Sequence, residues 1–493
     1  LCDDPAAVAS SPPLAETKPI SVHELTSTYF DTADHRLRKA GLALRVRNSG
    51  DGCFIQTLKG EGDGMIERPE WEAVIKTAKP SLKVLSGTPA IKALGEKPKL
   101  KDLFEVAVER TTYRLKHGES DLEIALDRGR ISAAGDVHPV GEIEIELKSG
   151  SPKDVFDLAR MFASQTELRL GVESKGERGF SLLVNKSPEA AKPGSALLDD
   201  EMTAANAFVA IAHSCLRHMR LNEDILLDRR DAEVLHQTRV ALRRLRSAMS
   251  VFGDIANDEQ APVLRAELKR LSEPLGVARN LDVFLTETLP RERLRRPDEV
   301  GLLNLETQLE VRRTEAYVRV DAMLRSQEWR RFLLDLVTWL HAGAWLDPAD
   351  KKAVIRLNQP AQSFAVTELE KRRRQLKKRG RKLAKITDDA RHDLRITAKK
   401  LRYGSEFFAL LFSGKKEGKR HAAFVSALKD LQDHLGALND ISTGRKLVSD
   451  LSGDSAVFAA GLTAGDIDAT SEPLLLKASL SRKALLKMRP FWR

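Results

Sequence analysis

Three cysteines in 493 residues is few, and Cys2, Cys53 and Cys215 stand far apart, none at the spacing of a metal site. Thiolate metal chemistry is thereby disfavoured, and a reducing compartment suits the chain. No apolar run is long enough to span a bilayer. No secretory leader opens the residues given, although the first is Leu1 rather than methionine. The expected location is the cytoplasm. The C-terminal half offers no evident aromatic stacking platform and no nucleic-acid recognition motif, which disfavours nucleic acid as a partner.

What the chain has is positive charge, unevenly placed. Residues 201–493 hold 53 Lys and Arg against 39 Asp and Glu, a balance of +14. Residues 1–200 hold 28 against 32, a balance of −4. A basic half of this kind points to a polyanionic partner. The densest stretch, Lys371 to Lys382, has nine basic residues in twelve, which repel one another unless counter-charge is near. Arg372 and Arg373 are candidate anion contacts there.

The basic half also repeats itself. His236, Arg239, Arg243 and Arg246 recur 156 residues later as His392, Arg395, Lys399 and Arg402. The shared offsets of 0, 3, 7 and 10 fall within about 80° on a helix, so each set forms one stripe. Beside each lies a leucine stripe, Leu242 and Leu245 or Leu394 and Leu401, that should face a core. Leu268-Lys-x-Leu-x-x-x-Leu-Gly276 and Leu428-Lys-x-Leu-x-x-x-Leu-Gly436 form a second repeat, 160 residues apart. Two copies of a helical unit packed about a pseudo-two-fold axis would bring the basic stripes together.

The first half has a different period. Short alternating runs at Leu42–Arg47, Cys53–Lys59, Glu70–Ile75, Phe104–Glu109, Tyr113–His117, Leu122–Asp127 and Glu142–Lys148 predict strands. Ser151–Leu168, with Pro152 in its first turn, predicts a helix. Ser187–Asp200 is aperiodic and rich in Pro, Gly and Ser, and so is the expected linker. The expected division is a β domain over 1–186, a linker over 187–200 and a duplicated all-α domain over 201–493, a multidomain α+β chain. Within Glu142–Lys148 the three glutamates share one strand face. Glu123 and Asp127 share a face, as do Arg45 and Arg47, with Lys59, Arg68, Arg110 and Arg114 on neighbouring strands or their ends. If these faces turn inward, carboxylates that suit Mg²⁺ or Mn²⁺ meet a ring of phosphate-binding cations.

Thr28-Tyr-Phe-Asp-Thr32, Asp34-x-Arg36-Leu-x-x-x-Gly41-x-Ala43-Leu-Arg45-Val-Arg47, Thr57-Leu-Lys59-Gly, Arg68-x-Glu70-Trp-Glu72, Leu126-Asp127-x-Gly129, Glu142–Gly150 and Ser174-Lys175-x-Glu177-Arg178-Gly occur in this order. Together they resemble the CYTH domain of the triphosphate tunnel metalloenzymes. The basic repeats resemble the CHAD domain, and the combination is similar to bacterial inorganic triphosphatases. The resemblance implies an eight-stranded antiparallel tunnel, with Arg45, Arg47, Lys59, Arg110, Arg114 and Lys175 binding triphosphate. It implies Lys59, Arg110 and Lys175 as the catalytic set, and Glu142, Glu144, Glu146 and Asp127 as ligands of Mg²⁺ or Mn²⁺. The family's Glu-x-Glu-x-Lys string is not found before Thr28, so the first strand is expected to be missing and turnover by the chain as given weak or nil. Where CHAD domains carry Arg-Asp after Leu-Gly, this chain has Arg279-Asn280. The helical half is expected to bind inorganic polyphosphate through His236, Arg239, Arg243, Arg246, His392, Arg395, Lys399, Arg402, Arg372 and Arg373, with polyphosphate granules as a place of association. The expected function is metal-dependent hydrolysis of inorganic triphosphate. The alternatives are a non-catalytic polyphosphate-binding protein and, ranked lower, a CYTH-type adenylate cyclase.

Overall fold

The computed structural model describes residues 1–2, 4–48, 52–60, 69–183, 188–381, 383, 386–448, 461 and 471–493. The chain forms two compact units. One comprises Leu1–Glu189 with Gln327–Gly343, the other Ala190–Ser326 with Ala344–Arg493.

The first unit is built on a seven-stranded antiparallel sheet. Its strands are β1 (Ser21–Thr32), β2 (Leu42–Asn48), β3 (Phe54–Gly60), β4 (Glu70–Ile75), β5 (Leu100–His117), β6 (Ser120–Ala133) and β7 (Asp136–Ser149), in the order β4-β3-β2-β1-β5-β6-β7. Among the described residues no ladder joins β4 to β7. The runs Phe104–Glu109 and Tyr113–His117 are parts of one strand, β5, and β1 is a strand that alternation did not single out. Arg68 lies outside the described residues.

Alternation gives this sheet two faces. On one, Leu44, Val46 and Leu58 pack with Leu37 of α3 (Arg36–Lys39) and Ala90 and Leu94 of α4 (Pro89–Leu94). Further along that face, Leu122, Ile124 and Leu126 pack with Val8 of α1 (Pro5–Ala9), Leu14 of α2 (Pro12–Ala15), and Leu158 and Phe162 of α5 (Pro152–Gln165). The buried Asp31 carboxylate accepts from the backbone N–H groups of Thr32, Leu37 and Arg38, so the acid of the Tyr-Phe-Asp-Thr string secures the turn into α3.

The opposite face carries α6 (Lys175–Leu182). Ser174 and Glu177 close a reciprocal capping box that sets the helix start. Gly176 and Gly179 then allow close approach: an added Cβ would lie 2.8 Å from the Tyr29 ring and 2.1 Å from the Phe104 ring. Tyr29 and Phe104 stack at 4.6 Å, and Phe180 meets Phe104 edge-on at 5.1 Å.

The second unit is helical: α7 (Ala204–Asp228), α8 (Ala232–Val251), α9 (Gln260–Leu271), α10 (Glu273–Val283), α11 (Leu289–Arg295) and α12 (Val300–Arg325) precede α13 (Gln327–Ala342). Helix α13 belongs to the first unit, where its His341 stacks on Phe156 and its Asp335 accepts from Arg160 at 2.8 Å. The second unit resumes with α14 (Lys351–Asn358), α15 (Ala361–Arg379), α16 (Asp388–Phe407), α17 (Lys415–Val448) and a last helix, Ser471–Lys487. Residues 188–199 have no regular structure, but they are fastened: the Ala191 carbonyl accepts from Asn222 at 3.0 Å, and Leu198 is buried.

The duplication is visible in the helices. Both leucine stripes are buried. α8 packs on α10 as α16 packs on α17, while α8–α16 and α10–α17 contacts join the two copies. The copies differ where Pro274 in the first replaces His434 in the second. Proline lacks an N–H and clashes with the preceding turn, and the first copy accordingly breaks into α9 and α10 around Ser272, whereas α17 runs through.

Candidate functional sites

Ladder register places the charged side chains of the sheet. Tyr29 faces Arg45, Arg45 faces Thr57, and Thr57 faces Glu72. Across the centre, His23 faces Arg110, Arg110 faces Asp127, and Asp127 faces Glu142. Directly paired residues project to the same side. Arg45, Arg47, Lys59, Glu70, Glu72, Arg110, Arg114, Glu123, Asp127, Glu142, Glu144 and Glu146 therefore all lie on the α6 face.

This face has two differently charged regions. Arg45, Arg47 and Lys59 form the cationic one. Lys59 Nζ lies 3.0 Å from Glu70, Arg45 reaches the same carboxylate at 3.6 Å, and Arg47 donates to Ser27 at 3.4 Å. Burial and the neighbouring Arg45 and Arg110 push Arg47 down to about 10, and burial and Arg45 push Lys59 down. Arg45 and Lys59 thus share one carboxylate, and Arg47 is hydrogen-bonded to a hydroxyl.

Asp127, Glu142 and Glu144 form the acidic region. Oxygens of all three lie within 4.8 Å of one another. Arg110 donates to both Asp127 oxygens at 2.7 Å and to Glu144 at 2.6 Å. From α6, Lys175 reaches Asp127 at 2.7 Å, Glu144 at 3.1 Å and Glu142, and Arg178 also pairs with Glu142. Asp127 and Glu144 are held below the usual carboxylate range: Arg110 and Lys175 outweigh burial for Asp127, and Lys175 and Arg110 do so for Glu144. The same carboxylates hold the Lys175 and Arg110 protons tightly despite burial. Three carboxylates at this separation supply the hard oxygen donors that a divalent cation such as Mg²⁺ takes, so the donor set fits one.

Two expected site residues stand apart. Arg114 is exposed and pairs with Asp121 at 2.5 Å. Glu146 is exposed and pairs with Lys148 at 2.9 Å. Arg178, by contrast, was not among the expected ligand-binding residues. Its signal is its position three residues after Lys175, one turn along the same helix face.

In the helical unit the stripes converge. Arg239 of α8 feels Arg243, Arg279 of α10 and Arg395 of α16, which together with burial push it down to about 10. Burial and Arg243, Arg395, Arg239 and Arg402 push Lys399 down to about 6. Burial and Arg279 push His236 down to about 4. The two glycines of the second repeat mirror each other. A Cβ at Gly276 would lie 3.8 Å from the Arg239 guanidinium, and one at Gly436 would lie 4.0 Å from that of Arg395. Each Leu-Gly step thus leaves room for its copy's arginine to lie beside the helix. Arg243 Nε is buried without a hydrogen-bond partner. Cations held together against their own repulsion make a site for an anion.

The remaining expected contacts are placed otherwise. His392 and Arg246 are exposed, and Arg402 pairs with Glu406 at 3.3 Å. Arg372 is buried against Glu368 and donates to the Ser250 carbonyl at 2.8 Å. Arg373 donates to the Leu486 carbonyl at 2.9 Å. Two of the nine cations in Lys371–Lys382 are thus directed at carbonyls near helix C-termini, where cations meet unpaired carbonyls.

Two domain families match stretches of this chain. The chain carries a CYTH domain over residues 10–180, followed by a CHAD domain over residues 210–449. Over 162 residues it is 33% identical to an inorganic triphosphatase of Haemophilus influenzae, a match that covers 32% of this chain and 46% of that protein. The chain thus spans less than half the length of that relative. The crystal structure of the CHAD domain from the plant Ricinus communis is similar at 28% identity with a TM-score of 0.51, covering 62% of this chain and 98% of that one. No helix among the described residues is long and apolar enough to cross a membrane.

Proposed function

We propose that the CYTH domain hydrolyses inorganic triphosphate with Mg²⁺ or Mn²⁺ and that the CHAD domain binds inorganic polyphosphate. The observation that carries the first half is the division of one sheet face into a cationic region and a three-carboxylate cluster. Arg45, Arg47 and Lys59 bind the phosphate chain. Arg110 and Lys175, between the carboxylates and the chain, orient the terminal phosphoryl group and offset the charge that develops on it. Asp127, Glu142 and Glu144 would hold the divalent cation, which when bound polarises the phosphoryl oxygens and makes water more acidic. Water adds to the terminal phosphorus and the bridging P–O bond breaks. The electron pair leaves on diphosphate, and the proton of the attacking water passes to solvent or to the released phosphate. The relative's triphosphatase name supports this substrate class.

The second half is carried by the convergence of Arg239, Arg243, Arg279, Arg395 and Lys399 from both repeats. A polymer with charge on every unit and no base to read needs only such a basic cluster. Association with polyphosphate granules would follow from that binding. Reversal of Arg239, Arg243, Arg395 and Lys399 to Glu in the full chain tests it: polyphosphate binding should vanish while helical circular dichroism is retained, and binding that persists in the folded variant would remove the assignment.

A further inference from the structure

The carboxylate cluster already contains a cation, and it comes from the chain. Lys175 Nζ touches all three carboxylates, at 2.7 Å from Asp127, 3.1 Å from Glu144 and in contact with Glu142. With Arg110 and Arg178, three positive side chains balance three negative ones. Nothing in this arrangement calls for two more charges. A divalent ion added to it would meet an ammonium among the very oxygens it needs, in a partly buried setting where like charges repel strongly.

We propose that Lys175 acts as a built-in competitor for the divalent cation, so that the cluster takes up metal only when a phosphate chain draws the lysine away. This rests on the reading that the cluster is the metal site. The lysine is placed for such a transfer. It stands at the first position of α6, one residue after the capping Ser174, so its stem swings without the helix unwinding. Arg47, hydrogen-bonded to the Ser27 hydroxyl, and Lys59, which shares the Glu70 carboxylate with Arg45, lie across the same face and would hold the incoming phosphates. A triphosphate supplies the negative charge that the lysine would otherwise forfeit, and its departure leaves oxygens for the ion. Metal then enters with the substrate, not ahead of it, and Lys175 is a gating residue as well as a phosphate contact.

The test is Mn²⁺ binding to the full chain without triphosphate, followed by electron paramagnetic resonance. The wild type should bind weakly, and Lys175→Met should bind at least about tenfold tighter, since removing one adjacent unit charge shifts an ionic equilibrium by about one to three log units. Lys175→Arg should stay weak. Lys175→Met combined with Glu144→Gln should lose the gain; a gain that survives would show that the ion binds elsewhere and would overturn the site itself. Equal or weaker binding by Lys175→Met, with Glu144→Gln still lowering affinity, would keep the site and overturn the competition. If Lys175→Met does not fold, acetylation of the wild type decides. Saturating Mn²⁺ should make Lys175 more reactive, whereas unchanged or reduced reactivity contradicts displacement.

Discussion

Arg110 and Asp127 are direct partners across the β5–β6 ladder, and the guanidinium donates to both carboxylate oxygens at 2.7 Å. Asp127 is fully buried. The pair therefore joins the two regions of the charged face, and its fork geometry fixes where Arg110 can point. Asp127→Asn should remove the buried counter-charge that Arg110 and Lys175 share and leave them the exposed Glu144. The expected cost is about 3 kcal/mol, as for breaking a buried pair, read by urea unfolding at pH 7. Because the Asp127 carboxyl is held below its ordinary value, its stabilisation is present above the unfolded carboxyl range. It is lost as pH falls through the lowered folded value. The wild-type advantage over Asp127→Asn should therefore shrink in acid; an advantage that grows in acid would contradict the pairing.

Gly179→Ala tests how α6 is seated. A methyl group there would lie 2.1 Å from the Phe104 ring, and Phe104 is held between Tyr29 and Phe180. The helix must shift, at an expected loss of about 1–3 kcal/mol. Since α6 carries Lys175 and Arg178, activity should fall beyond what the lost stability explains. Unchanged melting temperature and activity would show that α6 does not pack this way.

Lys399 should make the proposed anion binding pH-dependent. In the folded chain it loses its proton near 6, while an unfolded lysine keeps one to about 10.4. The unfolded state thus binds more protons between those values. The group penalises folding fully below pH 6, and the penalty is relieved as pH rises. A bound polyanion restores the proton, so polyphosphate affinity should fall as pH rises from about 6 to 9, with proton uptake visible as buffer-dependent calorimetric heats. Lys399→Arg should flatten that slope. An equal slope in the variant would assign the effect to another group.

Much of this was legible in the sequence because strand alternation is strict where the charges are. Glu142, Glu144 and Glu146 could be placed on one face, and register with β6 bears that out. Strand β1 was not legible, because Ser21–Thr32 is rich in Ser and Thr and lacks a clean apolar alternation. Strand β5 read as two pieces because its α6-face residues change from Phe104, Val106 and Val108 to Arg110 and Thr112. The pairing of Lys175 with Asp127 and Glu142 depends on how α6 docks on the sheet, which local sequence does not encode. In the helical unit, charge density suggested Arg372 and Arg373, but density does not say which carbonyls lie nearby. Helical spacing, which does carry direction, brought the stripes of α8 and α16 together.

Phosphate release from inorganic triphosphate by the full chain is the most direct measurement, made with Mg²⁺ or Mn²⁺, with EDTA, and with Glu142→Gln/Glu144→Gln. With the first strand expected to be missing, slow metal-dependent release that EDTA abolishes is predicted, with a further loss of at least about tenfold in the double variant, the usual scale for a weakened metal site. Full release in EDTA, or from the folded double variant, would contradict it.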